Sequence, residues 1–154
     1  MTNVFIRAFV VLAASVPLPV FPVSGTVVEG FQAPTCIRCA GHRGVTFATA
    51  PHSPVVAVRD GVVTFVGEVA HHTYVVVHIA PQVLVTYGWL VANPDLRTGM
   101  AIHQGTPLGV TGERFYLGVR VAGQYVEPLR YLGLLGVRLR GPGKVFVGQR
   151  PFAR

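Results

Sequence analysis

After Pro22 the sequence is a succession of short β-branched runs, each cut by glycine or proline. Breakers this frequent leave little room for a helix of ordinary length, because proline removes a backbone donor and glycine costs conformational entropy. The runs at 25–28, 55–58, 61–67, 74–79, 84–89, 107–110, 115–121 and 124–126 are predicted strands. Asp60-Gly61 stands between two valine-rich runs and predicts a hairpin turn, and Gly123 predicts a second tight turn. Turn signals recur every eight to twelve residues or so, the spacing of an antiparallel sandwich or barrel. Beyond the N-terminus no window repeats at about 3.6 residues, so the expected class is all-β.

A chain of 154 residues fits one domain, and 51% apolar residues suffice for a core. Charged residues make up only 12%, which argues against disorder. At the N-terminus Arg7 precedes an apolar run over 8–15, the pattern of a short secretory signal. Pro17, Pro19 and Pro22 follow and end any helix before the roughly 20 residues needed to cross a bilayer. The expected organisation is a signal or apolar segment over 1–22, a domain over 23–133 and a basic Gly/Pro-containing tail over 134–154. Export to the envelope or the exterior follows if 1–22 is a signal; the alternative is a buried N-terminal segment. No transmembrane span is expected after it. Five of the thirteen basic residues lie in the tail, so without it the formal charge falls from +7 to +2. A solvated end is the first reading of the tail, contact with anionic envelope polymers the second. Nucleic acid is not expected, since no stacking pattern or binding motif accompanies the charges.

Between Val23 and Leu132 several segments keep a recognisable order: 23–31, Gly41-His42-Arg43-Gly44 leading to Pro51, 54–63, 75–79, 86–90, 98–109 and 118–132. In this order and spacing the chain resembles the lysostaphin-type zinc metalloendopeptidases, which cut peptide cross-bridges of peptidoglycan. The resemblance covers about 110 residues and implies an antiparallel β-sheet domain. It also implies a zinc site of three protein ligands and a water: a His and an Asp from H-x-x-x-D, and a second His closing an H-x-H. Such a metal lowers the water's pKa and polarises the scissile carbonyl. Two further histidines, the first of H-x-H and one in a central strand, assist in that family.

Carried over residue by residue, the resemblance places His42 at the first ligand. The Asp position is Thr46, a neutral hydroxyl. The strand-His position is Trp89. The H-x-H falls on Arg114-Phe115-Tyr116, with Tyr116 at the second His ligand and Arg114 at the catalytic His. No histidine lies beyond His103, so H-x-H is absent from the C-terminal part in any register. A lone imidazole does not hold zinc tetrahedrally, and a guanidinium repels a dication. The expectation is a family fold without the family's metal: no catalytic residues, no cofactor, and a cell-envelope binding or regulatory role on peptidoglycan.

Other residues offer alternatives. Cys36 and Cys39 form a C-x-x-C just before His42. They are expected as a disulfide or as free thiols, or, with His42 and His52, as a substitute zinc site in an active endopeptidase. A scaffold without glycan contact is a third function. His71-His72 is expected in a solvated turn, and His78 on an exposed strand face. Tyr87, Trp89, Phe115 and Tyr116 are divided between groove lining and core. Asp60 and Glu127 are expected to be structural.

Overall fold

The computed structural model describes residues 18–36 and 39–135. The predicted signal, apart from 18–22, and nearly all of the basic tail lie outside the described residues. The strands are β1 (Thr26–Glu29), β2 (Val45–Ala48), β3 (Pro54–Val56), β4 (Gly61–Val69), β5 (His72–Ala80), β6 (Val83–Ala92), β7 (Ala101–Ile102), β8 (Pro107–Val121) and β9 (Gln124–Val126). One short helix, α1 (Pro128–Tyr131), follows. All strand pairs are antiparallel, in the order β1-β2-β8-β6-β5-β4-β7, with β3 and β9 also pairing β8. The all-β expectation holds, and the architecture is a single nine-stranded sheet.

The sheet has two unlike faces because strand side chains alternate. Val45 and Phe47 of β2, Phe115, Leu117 and Val119 of β8, Val83, Val85 and Tyr87 of β6, Val75 and Val77 of β5, and Val63 of β4 point into one core. Val55, Ala57, Val58, Leu108 and Leu132 belong to the same core. Tyr87 is fully buried, and its hydroxyl accepts a hydrogen bond from the Val58 amide at 3.0 Å. The other face carries Thr46, Tyr116, Gly88 and Tyr74 in one cross-strand row, and Arg120, Leu84 and His78 in another. The predicted four-way aromatic group therefore divides: Tyr87 and Phe115 are core, while Trp89 and Tyr116 belong to the open face.

Two turns follow the chemistry of the sequence. Ala122-Gly123, with φ of 48° and 82°, joins β8 to β9 as a two-residue primed turn. Ala70-His71, with φ of 49° and 64°, joins β4 to β5 in the same way. The Asp60-Gly61 hairpin is a correction. β3 pairs with β8, and β4 pairs with β5 and β7, so the two valine-rich runs do not pair with each other. Asp60 instead pins a corner: its Oδ1 accepts the Gln104 amide at 2.7 Å, and Gln104 Nε2 donates to the Val58 carbonyl. Runs 107–110 and 115–121 are also corrected, to one continuous strand. Glu127 is structural as expected, capping α1 through the Leu129 and Arg130 amides.

Candidate functional site

β2 and β8 bring the family-matched positions together. Thr46 pairs with Tyr116, and Ala48 with Arg114, so Arg114 and Tyr116 share a strand face beside Thr46. His42 precedes β2, where its backbone bridges Gln32. Its Nδ1 stands 3.0 Å from the Gly30 carbonyl, which only accepts, so Nδ1 carries the proton. In the tautomer with the proton on Nδ1, Nε2 accepts from the Thr46 hydroxyl at 3.1 Å. Glu29 opposes Thr46 from β1, and its carboxylate lies 3.7 Å from the same Nε2. Glu29 was not visible as a site residue in the sequence. It arrives by strand pairing, and its local Val-Val-Glu-Gly context gives no signal.

Tyr116 fills the middle of this arrangement. Its ring meets His42 edge-on at 5.9 Å between centroids and Trp89 at 5.8 Å. It lies over glycine on three strands or their approaches. A Cβ on Gly44 would come within 2.5 Å of the ring, and one on Gly118 within 2.8 Å of the hydroxyl. One on Gly88 would come within 3.1 Å of Tyr116 and 2.6 Å of Tyr74. The floor is thus glycine because the aromatic rings lie flat upon it. Burial pushes the Tyr116 phenol above its ordinary range, helped by Tyr125 and Tyr74 and opposed by Arg43.

Trp89 sits in a bulge of β6. The register with β8 slips between Gly88 and Leu90, and Trp89 takes φ of 64°. This brings the indole to the open face, where Nε1 donates to the Tyr74 hydroxyl at 3.1 Å. The His72 ring lies against it, inclined by 42°, at 5.4 Å between centroids. His72 is therefore corrected from a turn residue to the first residue of β5 with an aromatic partner; only His71 belongs to the turn.

The donor set at this centre does not fit the zinc that the family resemblance implies. It offers one imidazole, one carboxylate beside it, a neutral threonine hydroxyl, and a phenol that burial keeps protonated. Zinc sites of the hydrolytic kind need three good ligands and an open position. Among the described residues no group of three or more His, Cys, Asp and Glu stands together to hold a metal. Cys36 and Cys39 are joined as a disulfide, so neither offers a thiolate. His52 lies in the turn before β3, its amide bonded to the Thr111 carbonyl. Arg114 is solvent-exposed.

Residues 40–128 match the family described as Peptidase family M23. No curated protein matches the chain. Among solved structures, Csd3 of Helicobacter pylori superposes with a TM-score of 0.66 at 24% identity, over 74% of this chain and 34% of that one. A zinc containing peptidase from Vibrio cholerae gives 0.60 at 23% identity, over 71% of this chain and 38% of that one. The catalytic domain of the antimicrobial peptidase lysostaphin from Staphylococcus simulans gives 0.59 at 15% identity, over 71% and 92%. The chain thus spans about a third of the length of Csd3 and most of the lysostaphin domain. These likenesses are of fold. On the match across 40–128, which takes in His42 and the whole sheet from β2 to β9, the chain belongs to peptidase family M23.

Proposed function

We propose that this chain is an M23 domain without zinc or hydrolysis, exported to the cell envelope, where it binds the peptide part of peptidoglycan as a recognition or regulatory module. The observation that carries this reading is Tyr116. At the position that the resemblance assigns to the second metal ligand stands a half-buried phenol, laid across a glycine floor and packed against His42 and Trp89. A ring held on several sides leaves no open coordination position, and its raised pKa disfavours the phenolate a metal would require. Trp89, Tyr74 and His72 supply apolar and hydrogen-bonding surface beside it, which suits binding of a ligand without cleavage.

Elemental analysis of the purified chain, paired with co-sedimentation on insoluble peptidoglycan, tests the reading. The expected result is no stoichiometric zinc, no release of soluble fragments, and pelleting that Trp89→Ala weakens. One zinc per chain together with chelator-sensitive cleavage would overturn it in favour of an endopeptidase with other ligands. Absence of pelleting would point to a scaffold with no glycan contact.

A further inference from the structure

The open face continues beyond the aromatic cluster to a shallow cleft of about 370 Å³, lined by His78, Gln82, Leu84, Arg120, Ala122 and Gly123. His78, Leu84 and Arg120 form one cross-strand row over β5, β6 and β8. Tyr125 of β9 opposes Arg120, and the Arg43 guanidinium lies 5.8 Å from the Tyr125 ring centroid. Arg120 is exposed and has no carboxylate partner among the described residues. A guanidinium with no carboxylate partner among the described residues, facing an imidazole across Leu84 in one cleft whose next row is Gly118 and Thr86, has the donors for a planar anion. Arg120 follows Tyr116 by four residues on the same strand face, so about 13 Å of extended strand separates the two. The Tyr116 ring lies over Gly118, which lies between them on that strand.

We propose that Arg120 and His78 form a carboxylate subsite, and that the ligand of this face is a peptide whose free carboxylate docks there while its body runs toward Tyr116 and Trp89. The inference rests on the reading of this face as a peptide-binding surface. The guanidinium donates two N–H bonds to the two carboxylate oxygens, and the His78 ring N–H supplies a further donor. Leu84 packs the adjoining aliphatic part of the ligand, and the primed turn at Ala122-Gly123 bounds the cleft.

Trp89 is the sole tryptophan, so its emission reports occupancy of the groove. The full chain is titrated with diacetyl-Lys-D-Ala-D-Ala as the free acid and as its C-terminal amide. The free acid is expected to bind roughly tenfold or more tightly than the amide, the usual scale for a hydrogen-bonded charge. Arg120→Gln is expected to weaken binding of the free acid by roughly that factor and of the amide far less, so that the preference is lost. Equal affinity for acid and amide, or an equal loss for both in Arg120→Gln, overturns the subsite. Preference for a uronic-acid oligosaccharide over the peptide acid overturns the choice of a peptide. The broader reading fails separately, when the unaltered chain does not pellet with peptidoglycan at all; pelleting undiminished in Arg120→Gln, with equal acid and amide affinity, removes only the subsite.

Discussion

A hydroxyl and a phenol, Thr46 and Tyr116, stand at the positions to which the family resemblance assigns a carboxylate and an imidazole, and both lie against His42. Thr46 lies 3.1 Å from His42 Nε2 and pairs directly with Tyr116, so the three residues converge on one spot. The double variant Thr46→Asp, Tyr116→His is therefore expected to bind one zinc per chain where the parent binds none. Metal analysis after dialysis checks this, and absence of zinc in a folded double variant would show that the positions do not converge. Tyr116 also packs the open face. Tyr116→Ala is expected to cost about 2 kcal/mol, less than a fully buried aromatic because one side of the ring reaches the surface; urea unfolding measures it. That His42, Thr46, Trp89 and Tyr116 gather in one place was legible from the order of segments along the chain, and the structure brings them into contact. Glu29, His72 and Arg120 were not, since each meets its neighbours through strand pairing, which leaves no local spacing to read.

β8 is the element on which the sheet depends, because it pairs with β2, β3, β6 and β9. The sequence suggested two strands here, 107–110 and 115–121, on either side of the Gly112-Glu113-Arg114 link. The structure uses Gly109 to keep one. Its φ is 155°, and a Cβ there would stand 2.2 Å from the Val91 carbonyl oxygen of β6. The glycine lets β8 lie against β6 while β3 pairs from its other side. Gly109→Ala is expected to cost more than about 2 kcal/mol, because the contact is with backbone and cannot be relieved by a rotamer change. A urea midpoint unchanged from the parent would contradict that account. Turn chemistry predicted Ala122-Gly123 correctly, since the strands on either side pair with each other. Asp60-Gly61 carries an equally strong local signal and misleads. Its flanking strands find other partners, and the Asp60 carboxylate is taken by the Gln104 amide. Local propensity proposes a turn, and long-range pairing decides whether it closes a hairpin.

Across the whole molecule the alternation of side chains separates a sealed core from a working face, and two tyrosines couple folding to pH on either side. Tyr87 is buried in the core, and Tyr116 is half-buried on the open face. Burial raises both phenols above the ordinary value near 10. The folded chain therefore holds these protons where the unfolded chain releases them. Their stabilising contribution is complete below that ordinary value and declines as the pH climbs beyond it, because the unfolded state then binds fewer protons. Tyr87 has a further tie, the Val58 amide, which loses its acceptor in Tyr87→Phe at a cost of about 1–2 kcal/mol at neutral pH. The expected signature is a crossing of trends. Tyr87→Phe is less stable than the parent at about pH 8, yet loses less stability between about pH 8 and about pH 11, since one of the two linked protons is gone. Urea unfolding at the two pH values measures it. Equal alkaline losses in the two proteins would mean that Tyr87 does not carry the linkage, and that the core around it opens before its phenol ionises.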